Sequence, residues 1–320
     1  MKRYDVVVIG AGDVGLAVAF KAAADELKVA LIDKAQVGGT CVNNGCVPSK
    51  TLIHVADRIL EIKDSEKLGI NADISSLDFR AVMARTRSVV ANGSNGIKKA
   101  IDDTKNIDFF AAAASFIDER TILAGREKIR GRKIFIASGS RPSIPTLPGL
   151  DAVPYLTNET LLRLEDRPES LIMIGSGYIG LEYAHFFSAF GTRVTVIGRS
   201  ARLLPFEEPE ISELLKSEMS RRVDLRMETA VLGVKQTSDG YAVLVKDITG
   251  RETELTAEKL MVATGRTSNA DILNVANAGI ETGPGNFITV NDHLETNRKN
   301  IWAIGDANGK SMFTHAGDKM

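Results

Sequence analysis

The sequence predicts an α/β protein that contains two copies of one strand–turn–helix–strand unit. Residues 4–15 combine a short apolar run with the turn GAGDVG, and residues 171–180 combine a second apolar run with GSGYIG. A helical stretch and another apolar run, 29–32 or 193–197, follow in each copy. A GxGxxG turn between a strand and a helix is typical of Rossmann-like, dinucleotide-binding domains. Two copies therefore predict two bound dinucleotides.

Bulk composition indicates an ordinary protein of about two domains, since domains commonly have roughly 100–200 residues and this chain has 320. The 40 basic and 41 acidic residues give a net charge of -1, so the sequence predicts neither a nucleic-acid nor a membrane partner. No stretch resembles a signal peptide, and no apolar run approaches the ~18 residues of a membrane span. We therefore expect a cytoplasmic protein.

The first glycine turn predicts a binding site for one dinucleotide. Its first glycine allows the tight turn, its second admits the pyrophosphate to the backbone, and its third lets helix and strand pack closely. The helix N-terminus then offers N–H groups and a partial positive charge to the phosphates. Asp33, at the end of the next strand, is in the position of an acid that binds ribose hydroxyls. A surface carboxylate at a strand end is the alternative interpretation.

The second copy departs from this pattern. Gly198 stands where the acid is expected, and Arg199 and Arg202 follow. An acid would repel a 2′-phosphate, whereas guanidinium groups bind one through charge-assisted hydrogen bonds. The sequence therefore predicts NADPH rather than NADH in this copy. Two solvated surface arginines are the alternative.

Residues 38–50, GGTCVNNGCVPSK, carry the most specific chemical signal. Pro48 is typical of the first turn of a helix, which places Cys46 at the helix N-terminus, where the thiolate is favoured. A thiolate beside an oxidised flavin can pass electrons to it, while Cys41 closes or opens a disulfide. Two buried free cysteines, or half of a metal site, are the alternatives, although zinc usually takes four ligands. A structural staple is not expected in a reducing compartment.

These motifs resemble those of the class I pyridine nucleotide–disulfide oxidoreductases, which include dihydrolipoamide dehydrogenase, mercuric reductase, glutathione reductase and mycothione reductase. The resemblance covers the whole chain. It is carried by both glycine turns, by residues 38–50, by Leu181-Glu182, by ATGR at 263–266 and by AIGD at 303–306. It implies a flavoenzyme with two Rossmann-like domains, the nicotinamide domain being inserted in the flavin domain.

The resemblance also implies residue roles. Cys41 matches the interchange thiol that meets the substrate, and Cys46 matches the charge-transfer thiol next to the flavin. Lys50 matches a lysine at the reactive edge of the isoalloxazine, paired with Glu182. Tyr178 matches the ring that covers the nicotinamide pocket until the cofactor arrives. Taken alone, Lys50 would be interpreted as a surface lysine and Tyr178 as a core aromatic residue.

Asp306 matches the carboxylate that binds the flavin ribityl chain, and Ala114 matches a backbone contact on the adenine side of FAD. A turn-capping acid is the alternative for Asp306. The positions expected to bind FAD are Gly10, Gly12, Gly15, Asp33, Lys34, Gly39, Thr40, Lys50, Ala114, Gly139, Gly305 and Asp306. Those expected to bind NAD(P) are Gly175, Gly177, Tyr178, Ile179, Gly180, Glu182, Arg199, Arg202 and Gly265.

Turn-rich segments predict the domain boundaries. Prolines follow SGSRP at 138–142, and ATGR ends the second copy. We therefore expect an FAD-binding domain with the redox pair at 1–142, an NAD(P)-binding domain at 143–265, and a return segment to the FAD domain at 266–320. Within the return segment, Phe287–Val290 and Ile301–Ile304 are candidate strands.

One expected feature of the family is missing. Members continue beyond AIGD into a dimer-interface domain with a His-Pro…Glu catalytic pair, and this sequence has no His-Pro dipeptide. His54 follows Lys50 by one helical turn, but we expect it to be solvated or packed rather than a general base. We expect a fragment of a longer protein, the alternative being that the lost half is supplied elsewhere. A homodimer is expected for the full-length family rather than for this chain. The chain itself should reduce its disulfide but be poor at exchange with a dithiol.

The leading functional hypothesis is an FAD-dependent oxidoreductase like dihydrolipoamide dehydrogenase, which passes electrons between a nicotinamide, FAD and the Cys41–Cys46 disulfide. Gly198 and Arg199 fit better with NADPH-using mercuric, glutathione or mycothione reductases, whose substrates are metal ions or small disulfides. No resident metal is expected. Low-molecular-weight thioredoxin reductase is disfavoured, because it carries CxxC in its nicotinamide domain. The non-enzyme alternative is a truncated FAD-binding fragment.

Overall fold

The computed structural model describes Met1–Lys34, Gln36–Gly317 and Lys319. In chain order the strands are β1 (Lys2–Ile9), β2 (Val29–Asp33), β3 (Ile107–Ala111), β4 (Ala114–Phe116), β5 (Thr121–Ala124), β6 (Glu127–Ile136), β7 (Ser140–Pro142), β8 (Ser170–Ile174), β9 (Arg193–Ile197), β10 (Val223–Arg226), β11 (Ala230–Thr237), β12 (Gly240–Lys246), β13 (Glu252–Ala257), β14 (Lys259–Val262), β15 (Arg266–Ser268) and β16 (Ile301–Ala303). The α-helices are α1 (Asp13–Ala24), α2 (Gly39–Asn44), α3 (Cys46–Lys63), α4 (Phe79–Asp103), α5 (Tyr178–Ala189), α6 (Pro209–Ser220) and α7 (Thr314–Gly317). Within these described ranges, no helix combines the length and the apolar character needed to cross a membrane.

The chain divides into two compact units. The first consists of Met1–Val47, Val89–Arg141 and Arg266–Met320, and the second of Pro48–Ser88 and Pro142–Gly265. This division differs from the expected domain boundaries in grouping residues 48–88 with the second unit. The boundaries at 1–142, 143–265 and 266–320 therefore stay a prediction.

A sheet in the order β3-β2-β1-β6-β5-β4 forms the centre of the first unit, and β16 adds to it beside β6. β1 pairs in parallel with β2 and β6, so that Ile9 lies between Ile32 and Ile136. These three side chains are almost completely buried, as expected for a parallel sheet covered on both faces. The register places the ends of β1, β2 and β6 at one edge of the sheet.

One expected strand of the first unit is wrong. Residues 287–290 form no strand and make only an isolated bridge between Thr282 and Ile288. The reason is a tight turn at Pro284–Asn286, where the Gly283 N–H donates to the Phe287 carbonyl. The turn leaves too few extended residues for a ladder.

The second unit repeats the parallel arrangement in the order β10-β9-β8-β14. Leu171–Ile174 of β8 are all buried, which explains the continuous apolar run in the sequence. An antiparallel sheet, β11-β12-β13, packs against the parallel one through a cluster that includes Ile172 and Val243. On α5, Phe186 and Phe190 contact the ring of Phe79.

We predict opposite stability effects for alanine at two glycines of the first unit. Gly10 has φ +112°, and a Cβ there would lie 2.1 Å from the Ala137 carbonyl oxygen. Gly10→Ala should therefore lower the free energy of unfolding by at least about 2 kcal/mol. Gly96 lies in α4, where a Cβ would have open space on all sides to 4 Å, so Gly96→Ala should raise it by about 0.5–1 kcal/mol. Thermal unfolding of the two variants measures the difference, and equal effects would contradict the steric argument.

Candidate active site

Both glycine turns are built by the same backbone contact. Gly10 and Gly175 have φ of +112° and +117°, a region that favours glycine. A Cβ on either would lie 2.1 Å from a carbonyl oxygen of the neighbouring strand end, that of Ala137 or of Ala263. The two expected dinucleotide sites therefore share one geometry.

The helices that follow these turns lack a side-chain cap. α1 and α5 begin directly after Gly12 and Gly177, and glycine offers no side chain to their first N–H groups. Such N–H groups, with the partial positive charge of the helix end, form a phosphate-binding arrangement. The third glycine of each turn lets the helix pack closely on the turn. A Cβ at Gly15 would lie 2.0 Å from the Gly10 carbonyl oxygen, and a Cβ at Gly180 would lie 2.4 Å from the Gly175 carbonyl oxygen.

The first unit contains a cradle that fits a dinucleotide. The Asp33 carboxylate accepts a hydrogen bond from the Ala11 N–H at 2.6 Å, which holds it beside the glycine turn. Gly39 packs on Gly12 so closely that a Cβ at Gly39 would lie 2.6 Å from the Gly12 Cα. Among the described residues, the buried Ser138 Oγ has no hydrogen-bond partner. A polar ligand with ribose and phosphate groups, such as FAD, would match these features.

Asp306 is held by a small polar cluster. The Ser140 hydroxyl donates to the Asp306 carboxylate at 2.5 Å. Arg266 donates from Nε to the Ser140 hydroxyl at 2.6 Å and lies 3.5 Å from the same carboxylate. Only 10% of the Arg266 side chain is exposed, compared with 25% for Asp306. The cluster fixes the orientation of a carboxylate that still reaches the surface of the unit.

The remaining expected FAD positions do not all lie at the glycine turn. Ala114 begins β4, which the sheet order separates from β1 by two strands. Lys34 is exposed directly after β2, Thr40 is half-buried on α2, Gly139 has φ +66° with open space at its Cβ position, and Gly305 has φ +63° beside Val14. The structure therefore brings Gly10, Gly12, Asp33 and Gly39 together and places Ala114 at the far edge.

Cys41 and Cys46 lie on two consecutive helices. Cys41 is on α2, Cys46 is the first residue of α3, and both are half-buried free thiols. A hydrogen bond with Cys46 raises the pKa of the Cys41 thiol strongly, and burial raises it further. The hydroxyl of Thr314 opposes this effect and lies 3.5 Å from the Cys46 sulfur. The pair can thus share one proton, with Cys46 at the end of a helix that favours a thiolate.

Backbone carbonyls anchor the loop before Cys41. The Asn43 side-chain amide donates to the carbonyls of Gln36, Val37 and Gly39 at 2.9–3.1 Å. The buried Ser94 hydroxyl on α4 donates to the Val37 carbonyl at 2.7 Å. These hydrogen bonds fix the loop from the inside and thereby the position of Cys41.

Within the second unit, Lys50 and Glu182 form the expected ion pair. Lys50 Nζ on α3 lies 2.6 Å from Glu182 Oε1 on α5, with 60% and 29% of the two side chains exposed. A pair this exposed contributes little to stability, typically about 0–1 kcal/mol. Its effect is to place the lysine charge.

A second polar link joins α3 to α5 one turn further on. His185 Nε2 lies 2.8 Å from Asp57 Oδ1, and Arg222 Nη2 lies 3.1 Å from His185 Nδ1. A guanidinium can only donate, so Nδ1 accepts and Nε2 carries the proton toward Asp57. His54, by contrast, is exposed on α3.

The position expected to carry an acid in the second unit, Gly198, lies against two flexible side chains. A Cβ at Gly198 would lie 2.5 Å from the Ser176 Oγ and 2.8 Å from the Met227 methyl carbon. Arg199 is exposed, and the half-buried Arg202 donates from Nη2 to the Pro205 carbonyl at 3.2 Å. The strand β9 is therefore followed by a residue without a carboxylate, Gly198, and two arginines come after it.

Tyr178 begins α5 and donates its hydroxyl to the Glu207 carboxylate. This hydrogen bond raises the pKa of Tyr178, with burial as a smaller cause. The ring borders an apolar pocket of about 230 Å³, together with Leu181, Leu204 and Met219. Of the other expected NAD(P) positions, Ile179 is half-buried in the first turn of α5, and Gly265 has φ +123° with open space at its Cβ position.

Sequence reasoning missed several residues of these clusters. Thr314 meets Cys46 across 268 residues of sequence, and Ser140 meets Asp306 across 166. Such contacts leave no local spacing pattern. Asn43 lies within the motif at residues 38–50, and Arg266 lies within ATGR at 263–266. Their positions in these motifs could have indicated their roles.

Comparison with known proteins places the chain in a family. Residues 4–320 match the family model described as pyridine nucleotide-disulphide oxidoreductase. The chain belongs to this family. It is similar to a mercuric reductase of Lysinibacillus sphaericus, with 36% identity over 98% of this chain and 57% of the relative. It is also similar to a dihydrolipoyl dehydrogenase of Bacillus subtilis (strain 168), with 34% identity over 97% of this chain and 68% of the relative.

A solved structure shows the same fold. The HOCl-induced flavoprotein disulfide reductase RclA from Escherichia coli superposes with a TM-score of 0.88 at 30% identity, over 99% of this chain and 69% of that chain. The chain thus spans little more than half the length of the mercuric reductase and about two thirds of the other two relatives.

The comparisons confirm the family resemblance and the α/β fold with Rossmann-type domains. They also support an enzyme family whose members use FAD and a pyridine nucleotide. The individual site residues stay predictions, for which the geometry above supplies physical support.

We predict opposite pH shifts for two variants of the thiol pair. The hydrogen bond with Cys46 raises the pKa of Cys41, so Cys46→Ala should move alkylation of Cys41 to lower pH. Thr314 lowers that pKa, so Thr314→Val should move the alkylation to higher pH, while Thr314→Ser should leave it in place. Iodoacetamide labelling of the reduced proteins across a pH series, read by peptide mass spectrometry, measures the shifts. Shifts in the same direction for Cys46→Ala and Thr314→Val would contradict this account.

Proposed function

We propose that this protein is an FAD-dependent oxidoreductase that uses NADPH to reduce its Cys41–Cys46 disulfide and then a small substrate. The observation that carries the proposal is the hydrogen-bond contact between two half-buried thiols, Cys41 on α2 and Cys46 at the start of α3. Bound FAD would supply two-electron exchange between a hydride donor and a dithiol. We assign FAD to residues 1–142 with 266–320, and the nicotinamide cofactor to residues 143–265.

The two cysteines and Lys50 have separate roles in the proposed reaction. Reduction of the disulfide breaks one S–S bond, takes up two electrons and one proton, and gives one thiol and one thiolate. Cys46 holds the thiolate, because it occupies a helix N-terminus. Cys41 retains its proton until a substrate accepts it, since its pKa is raised. The family resemblance assigns to Lys50, which pairs with Glu182, the role of a positive charge at the flavin edge.

Two substrate classes are compatible with a dithiol, and we put a small disulfide first. Exchange with such a disulfide needs only the two sulfurs and a proton. A soft metal ion is the second candidate, favoured by relatives named mercuric reductase that match 98% of this chain. A reduced dithiol could bind such an ion through both sulfurs. NADPH oxidation assays with low-molecular-weight disulfides and with Hg²⁺ compare the two candidates directly.

Anaerobic titration of the purified protein with NADPH tests the proposal. We expect a long-wavelength thiolate-to-flavin absorbance in the wild type, its loss in Cys46→Ser, and its retention in the matched Cys41→Ser variant. The reason is that only Cys46 is assigned to the flavin. Protein that binds no flavin would refute the proposal. Bound flavin that NADPH does not reduce would favour the alternative of a non-catalytic FAD-binding fragment.

The cofactor preference gives a separate prediction. Arg199→Ala with Arg202→Ala should raise KM for NADPH by about tenfold or more and leave KM for NADH nearly unchanged, because only NADPH carries the 2′-phosphate. Arg193→Ala, at an exposed arginine that begins β9, is the matched control. Steady-state kinetics of flavin-dependent oxidation measure both constants. A wild-type preference for NADH would overturn the assignment of these arginines.

A further inference from the structure

One loop of the second unit carries both the expected phosphate-binding arginines and the partner of Tyr178. Arg199 and Arg202 lie at its start, directly after β9, and Glu207 lies at its end, before α6. The loop has a defined conformation: Leu203 is fully buried, and Arg202 donates to the Pro205 carbonyl. Glu207 is therefore presented from a fixed position.

A hydrogen bond between Glu207 and Tyr178 connects the end of this loop to the first residue of α5. The Tyr178 hydroxyl donates to the Glu207 carboxylate, although 38% of the tyrosine is exposed. Leu204 adds to the arrangement, since it adopts φ +44° and borders the same pocket as the Tyr178 ring. A non-glycine residue with positive φ is uncommon, which indicates that the loop shape is imposed by its surroundings.

We propose that Glu207 is a gating residue that holds the Tyr178 ring across the nicotinamide pocket and must release it before a dinucleotide can bind fully. The proposal rests on the NADPH-dependent function proposed above. A hydrogen bond that exists only in the closed position reduces the population of the open, binding-competent position. The apparent dissociation constant for the dinucleotide is raised by the same factor.

The pocket beside Tyr178 provides space for ring movement. Its volume is about 230 Å³, and Leu181, Leu215 and Met219 supply apolar walls. An aromatic ring that leaves Glu207 can contact these side chains, whereas the hydroxyl loses a charged acceptor. The hydrogen bond with Glu207 is a polar contact of the closed position that a single substitution removes.

Binding measurements on the oxidised flavoprotein test the gate. Glu207→Ala and Tyr178→Phe should each tighten NADP⁺ binding by about fivefold, the effect of losing one hydrogen bond of ordinary net strength. The double variant should show no further gain, because both substitutions remove the same contact. Glu208→Ala, at the neighbouring exposed glutamate, should leave the affinity unchanged. Isothermal titration calorimetry gives these constants without reference to turnover.

A nucleotide that lacks the nicotinamide ring distinguishes gating by Tyr178 from a general effect of the loop on nucleotide affinity. Affinity for 2′,5′-ADP should be the same in wild type and Glu207→Ala, since this ligand has no group that displaces Tyr178. An equal gain for 2′,5′-ADP and NADP⁺ would overturn the gate, as would unchanged NADP⁺ binding in Glu207→Ala. A wild-type flavoprotein that binds neither NADP⁺ nor NADH would instead refute the proposed function, and the gate with it.

The contact itself can be measured without any nucleotide. Because Glu207 raises the pKa of Tyr178, Glu207→Ala should shift ionisation of this tyrosine to lower pH. The ultraviolet absorbance titration of each protein, minus that of its Tyr178→Phe counterpart, isolates this group. An unchanged titration would show that Glu207 does not hold Tyr178.

Discussion

The constraint on which both units depend is the contact of a glycine with a carbonyl oxygen at the end of the neighbouring strand. In the first unit, Ile9 pairs with Ile136, so the chain leaving β1 must turn directly over the end of β6. Only a residue without Cβ can do so, because a Cβ at Gly10 would lie 2.1 Å from the Ala137 oxygen. The turn brings α1 back against the sheet and points its first N–H groups over the strand ends. The phosphate-binding geometry is thus a consequence of strand spacing and sterics.

The redox loop depends on the same turn. The Gly38 N–H donates to the Ala11 carbonyl at 2.8 Å, and Gly39 packs directly on Gly12. Asn43 then closes the loop through three carbonyl groups. Cys41 is therefore positioned by backbone hydrogen bonds rather than by a hydrophobic core, which permits it to stay half-buried. This combination of fixed position and partial access suits the substrate-facing role proposed for Cys41.

Local patterns predicted the repeated units well, because each glycine turn, its strand and its helix are encoded within about thirty residues. They also predicted Cys46 at a helix start, since Pro48 is a local signal. The antiparallel sheet β11-β12-β13 was not foreseen, because the sequences of its strands lack the strict alternation of apolar and polar residues typical of a half-buried strand. The strand expected at 287–290 failed because a Pro-Gly-Asn turn competes with extension. Thr314 and Ser140 could not be found, since their contacts join distant parts of the sequence.

The two expected nucleotide sites differ at one pair of equivalent positions. Asp33 and Gly198 are equivalent because each comes directly after the residue that pairs with the last residue of the first strand, Ile32 with Ile9 and Ile197 with Ile174. In the first unit the small Ala11 leaves room for the Asp33 carboxylate and donates its N–H to it. In the second, Ser176 fills that space, and a Cβ at Gly198 would lie 2.5 Å from its hydroxyl oxygen. Exchanging Gly198 for an acid would therefore require the Ser176 side chain to move. In each unit, one of two touching positions carries the larger side chain: Asp33 beside Ala11 in the first unit, and Ser176 beside Gly198 in the second. The second strand therefore ends without a carboxylate at Gly198, and the arginines follow.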